Sequence, residues 1–74
     1  MNSQELRAQV MRRLSISKNF SDLTKLEISN VMDEHLAPYM ERDRQAVERK
    51  QQPYSFDQKS ILWLERLVRR KLKL

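Results

Sequence analysis

The 74-residue chain has no cysteine and no glycine, and only two prolines, one tryptophan and one histidine. Without cysteine there is no disulfide to staple the fold and no thiolate to hold a metal or attack a substrate. That usage fits a reducing compartment, so a cytoplasmic protein is expected. Without glycine there is no Gly-rich loop to cradle a nucleotide phosphate, and turns that need positive φ lack their most permissive residue. No run approaches the ~18 apolar residues that a membrane span requires, and the polar start MNSQELRAQ has no secretory apolar core. Beginning at Met1, with neither a tag nor a low-complexity tail, the chain reads as a complete small protein.

Leu, Arg, Glu, Gln, Lys and Met abound, so local propensity favours helix nearly everywhere and an all-α fold follows. With no staples, a chain of this length is close to the lower limit for a self-sufficient apolar core. A homodimer, or a core completed by a partner, is therefore a natural solution. There are no internal repeats, and no linker is long enough to divide the chain.

Three helices are predicted. The first spans about 3–15, with Ser3 as its cap and Leu6, Val10, Met11 and Leu14 on one face. A loop follows, pinned by Ile16 and Phe20. The second starts on the T-x-x-E box of Thr24 and Glu27, with Leu23 and Ile28 as a hydrophobic staple; Ser21 is an earlier alternative cap. Ile28, Met32, Leu36, Tyr39, Met40, Ala46 and Val47 keep one phase across Pro38, and no capping residue precedes that proline. One long helix of about 24–51, kinked at Pro38, is therefore preferred to two separate ones. The third helix, about 55–72, has Ser55 and Gln58 as an S-x-x-Q box. Together these make a small three-helix bundle with a long, Pro-kinked middle helix and a basic C-terminal helix.

Charge is concentrated at the end. Residues 1–58 hold nine Lys/Arg and nine Asp/Glu, whereas 59–74 hold six Lys/Arg against the single Glu65, so the net +5 belongs to the last helix. Arg66, Arg69, Arg70 and Lys73 recur at i, i+3, i+4 and i+7, which stacks like charges along one stripe at a cost of about 0.2–0.5 kcal/mol per pair. Glu65 can relieve Arg69. A polyanion would relieve the rest, and Arg-rich helices suit phosphates. Cations near a helix C-terminus are also favoured by the helix dipole and by solubility alone.

The apolar half of that helix is predicted to comprise Phe56, Ile61, Trp63, Leu64, Leu67, Val68 and Leu72, which favours a core place for Trp63, between Phe56 and Leu67, over the alternative of an exposed stacking platform. Leu62 falls among the cations, either as an isolated exposed side chain or as an anchor in a binding face. With its apolar half committed to the core, the helix is poorly placed to lie on a membrane. His35 has no second His or Cys at i±3 or i±4, so no metal site is expected. Glu41 and Asp43 sit two apart beside arginines and read as surface ion-pair material. No nucleophile and base can be paired, no cofactor is implied and catalysis is not expected. A helix-turn-helix also fits badly, because the loop joining the first two helices is long.

A non-enzymatic regulatory or accessory protein that binds nucleic acid is thus the leading expectation. Arg66, Arg69, Arg70 and Lys73 would meet phosphates, flanked by Lys59 and Lys71. The alternative is an adaptor or inhibitor that docks on an acidic protein partner, using Leu62 or the thin stripe of Tyr39, Met40 and Val47. That stripe would also serve a homodimer.

Overall fold

Leu6, Val10 and Leu14 stand one turn apart, as do Ile28, Met32 and Leu36. In the computed structural model, which describes residues 1–74, these two rows face each other. Both are fully buried, as are Leu64 and Val68, and with the nearly buried Phe56 the nine residues form one core. The elements are α1 (Ser3–Ser17), α2 (Asp22–Glu48) and α3 (Lys59–Leu72), with no strand, and each helix packs on the other two.

The capping differs from the expectation at the first and third starts, and at the second the earlier alternative, Ser21, holds. Asn2, not Ser3, caps α1: its side chain accepts the Glu5 amide at 2.8 Å. Ser3 lies one residue inside the helix and is buried, its hydroxyl donating to Asp43 Oδ2 at 2.8 Å. Ser21, not Thr24, caps α2 by accepting the Thr24 amide at 3.2 Å. The start therefore moves back from the Thr24 box, and Leu23 is left 67% exposed, so the predicted staple does not form. Instead Phe20, the residue just before the cap, packs against the core. Ile16 does not pin the loop: α1 continues through it to Ser17 and leaves it exposed.

α2 runs unbroken through Pro38. The stripe from Ile28 to Ala46 faces inward across the proline, with Tyr39 and Met40 half-buried against the core and only Val47 turned out. Past the proline, the Ser3–Asp43 bond ties α2 back to the first turn of α1. Asp43 is thus an interior link rather than surface ion-pair material, and its second carboxylate oxygen is buried without a partner. Glu41 does pair at the surface, with Arg44 at 2.6 Å.

Having no glycine, the chain ends two helices on lysine. Lys50 and Lys73 both take φ 55°, in the left-handed region. After α2, the Gln51 amide reaches the Ala46 carbonyl at 2.7 Å and that of Lys50 reaches Val47 at 3.2 Å. Those are the two bonds of a Schellman closure, which normally recruits glycine at the position of Lys50. After α3, the Leu74 amide closes on the Arg69 carbonyl at 2.9 Å.

Ser55 does not begin α3, which starts four residues later, at Lys59. Gln58, at the N-cap position, makes no side-chain capping bond, and the Asp57 carboxylate one residue earlier accepts the Ser60 amide at 3.1 Å. Ser55 and Phe56 instead fasten the chain start. The Met1 amine donates to the Phe56 carbonyl at 2.8 Å and to Ser55 Oγ at 3.2 Å, while the Phe56 amide donates to the Met1 carbonyl at 2.6 Å. The Phe56 ring lies edge-on to Tyr39 and Tyr54, with centroids 4.9 and 4.7 Å away. This clasp fixes Phe56 in the core without any help from helical periodicity.

Candidate nucleic-acid interface

Which side of α3 faces inward is decided by Ile61, Leu64, Val68 and Leu72, a stripe at i, i+3, i+7 and i+11. Leu64 and Val68 are fully buried, and Ile61 and Leu72 pack at the margin of the core. Glu65 lies on the same side and is itself buried. At about 100° per residue, Trp63 then points about 160° away from the centre of this face. It is 44% exposed, contrary to its expected place in the core, and the adjacent Leu62 is 45% exposed.

Three cations surround that tryptophan. Lys59, Arg66 and Arg70 line one surface hollow of ≈ 430 Å³ together with Leu62, Trp63 and Leu67. These six residues follow i, i+3, i+4, i+7, i+8 and i+11, so the site is a single stripe on one rigid helix. No carboxylate lines it. A second hollow adjoins it, sharing Lys59 and Leu62 and reaching Arg13 of α1.

The remaining predicted cations are placed differently. Arg69 donates to Glu65 Oε1 at 3.2 Å, and Arg13 reaches the other oxygen at 2.9 Å. Arg69 is therefore held in an ion-pair triad between α1 and α3, outside the hollow. Burial pushes the Glu65 carboxyl up, but hydrogen bonds from Arg13 and Arg69 and the charges of both outweigh it and hold the carboxyl below its usual range. Lys71 and Lys73 are exposed beyond the hollow, and Lys73 forms the left-handed end of the helix.

The other candidates are not drawn into this face. Tyr39 packs on Tyr54 and Phe56, with centroids 5.4 and 4.9 Å apart, and Met40 lies against the core. Val47 alone of the middle-helix stripe is fully turned out. His35 keeps Nε2 buried without a hydrogen-bond partner, and nowhere do three or more His, Cys, Asp or Glu gather as a metal group. No helix is long and apolar enough to cross a membrane.

Trp63 is the functional candidate that sequence reasoning set aside in favour of the core, and the signal for its exposure was present. Trp63 stands at i+4 from Lys59, i−3 from Arg66 and i−7 from Arg70, which puts it inside the basic arc. The misplacement came from Phe56, seven residues earlier, which would share the face of Trp63 if one helix covered both. Because α3 begins at Lys59, Phe56 carries no information on its phase.

The class these observations define is a three-helix bundle with a basic, aromatic-centred stripe on the outer face of its last helix. No family model, no curated protein and no solved structure matches the chain.

Proposed function

We propose that this chain is a small non-enzymatic regulatory or accessory protein that binds nucleic acid through the outward face of α3. One observation carries the reading. Lys59, Arg66 and Arg70 share a hollow with no carboxylate in its lining, while Glu65, the sole acid of the last sixteen residues, is turned to the core and already paired with Arg13 and Arg69. The repulsion along the stripe therefore has no internal remedy, and closely spaced phosphates supply an external one. Contacts of this kind read backbone charge rather than sequence.

Binding of labelled random-sequence oligonucleotides, followed by fluorescence anisotropy at ~50 mM salt, tests this. Three phosphate contacts predict a log–log salt slope of about −3 on duplex or about −2 on single strands. Arg66→Gln with Arg70→Gln should reduce the slope to about −1 and abolish binding near physiological salt, with helicity by circular dichroism unchanged. Arg69→Gln should disturb stability more than binding, because Glu65 holds that side chain. Absence of binding at low salt would remove the proposal. The exposure of Leu62 and Trp63 beside the cations favours a second reading, an acidic protein segment docking on the same face. Recovery of the same partner from a lysate with and without nuclease would favour that reading.

A further inference from the structure

The proposal above needs only charge, yet the hollow is not only charged. Its centre is a half-exposed indole, flanked by Leu62 and Leu67, with Lys59 one turn before it and Arg66 and Arg70 one and two turns after. A duplex presents phosphates on its outside and keeps its bases stacked within, so a tryptophan on a convex helix would find no base face to cover. A single strand offers both, alternating phosphates with bases free to unstack.

We infer that Trp63 is a base-stacking platform and that the face selects single-stranded over double-stranded nucleic acid, a conclusion that rests on the nucleic-acid reading and narrows it. Charge complementarity and geometry argue together for this occupant. Lys59 and Arg70 lie about 16 Å apart along the helix axis, a span of only a few nucleotides. The hollow of ≈ 430 Å³ between them is an open depression along one helix face, so a flat base can lie against the indole with its other side left to solvent. The core does not claim Trp63, because the buried face of α3 is complete without it. An acidic peptide would satisfy the cations but brings no flat ring to the indole unless it carries an aromatic residue of its own.

Trp63 is the only tryptophan, so its fluorescence reports this site alone. The probes are a short oligothymidine, a duplex of equal length, polyphosphate and polyglutamate, each titrated at ~50 mM salt. Oligothymidine is expected to quench Trp63 to saturation and to bind more tightly than the duplex. Polyphosphate is expected to bind more weakly and to leave the emission nearly unchanged. Trp63→Ala should weaken oligothymidine binding about 5- to 150-fold, and Trp63→Phe, which keeps a flat ring, should restore most of it. Circular dichroism of both variants should match the parent, and the quenching of Trp63 in the unaltered protein by oligothymidine but not by polyphosphate settles the question if Trp63→Ala does not fold.

Equal or tighter binding to duplex, or oligothymidine binding that neither quenches Trp63 nor depends on it, overturns the single-strand inference and leaves the nucleic-acid reading standing. Binding of polyglutamate with no binding of either oligonucleotide overturns both. Loss of all binding does the same.

Discussion

Glu65 does two things at once. Its carboxylate, 12% exposed, is shared by Arg13 of α1 and Arg69 of α3, which welds the first and last helices; by facing inward, it also leaves the outer face of α3 without a negative charge. Because the folded carboxyl titrates below its usual range, the native state holds the proton less readily than the unfolded chain. The stabilisation is therefore complete above the unfolded value, about 4.3, and is lost as pH falls through the lower folded one. Thermal midpoints should be level from neutrality to about pH 5 and then fall, and Glu65→Gln should flatten that fall. At pH 7 the same substitution should cost roughly 1–3 kcal/mol, a modest figure because both arginines are close to half exposed. Denaturant titration of the two proteins at pH 7 and pH 3.5 (about one unit below the ordinary carboxylate value) checks both statements.

At the level of the helices, the recurring feature is closure without glycine. A non-glycine residue in the left-handed region costs roughly 1–2 kcal/mol, and Lys50 bears that cost at the end of α2. Lys50→Gly should therefore raise stability, by about 0.5–1 kcal/mol once the greater freedom of glycine in the unfolded chain is subtracted. A higher urea midpoint with an unchanged m-value would show it. Lys50→Ala should give no such gain, because alanine keeps the Cβ that makes the conformation costly. Pro38 is handled differently. Its missing N–H removes one bond inside α2, yet the stripe from Ile28 to Ala46 keeps its phase, and the Ser3–Asp43 bond holds the far half in place. Continuity across the proline was legible from that phase, whereas the interior role of Asp43 was not. Nothing local marks Asp43 as facing the first turn of α1, forty residues earlier.

For the whole molecule, the core rests on rows that the sequence spelled out and on one residue that it disguised. Leu6, Val10, Leu14, Ile28, Met32 and Leu36 could be read from spacing because each lies within an uninterrupted helix. Phe56 was rightly expected inside, but as the first turn of the last helix. In fact the clasp with Met1 and the two tyrosine rings hold it there, a contact between residues 55 apart that no local pattern announces. That single error of phase hid Trp63, the centre of the candidate site, while the cations were legible because charge is counted, not folded. The two aromatics should consequently respond in opposite ways. Phe56→Ala should cost about 3–5 kcal/mol, a large share of the ~4–11 kcal/mol available to a domain of this size, and should lower the melting temperature sharply. Trp63→Ala should leave melting nearly unchanged, and calorimetry of the pair would distinguish a packing residue from a surface one.

The clasp at Met1 also bears on how the molecule can be handled. The amine that closes on Ser55 and Phe56 becomes an amide in any fusion joined ahead of it, and the opposite end lies one residue past Lys73, beside the basic stripe. Neither terminus is a neutral place for a dye or a surface linkage. Asn19, exposed in the turn between α1 and α2, is one. Since the sequence has no cysteine, Asn19→Cys would give a unique thiol through which the protein can be labelled or immobilised with both its fold and its basic face left free.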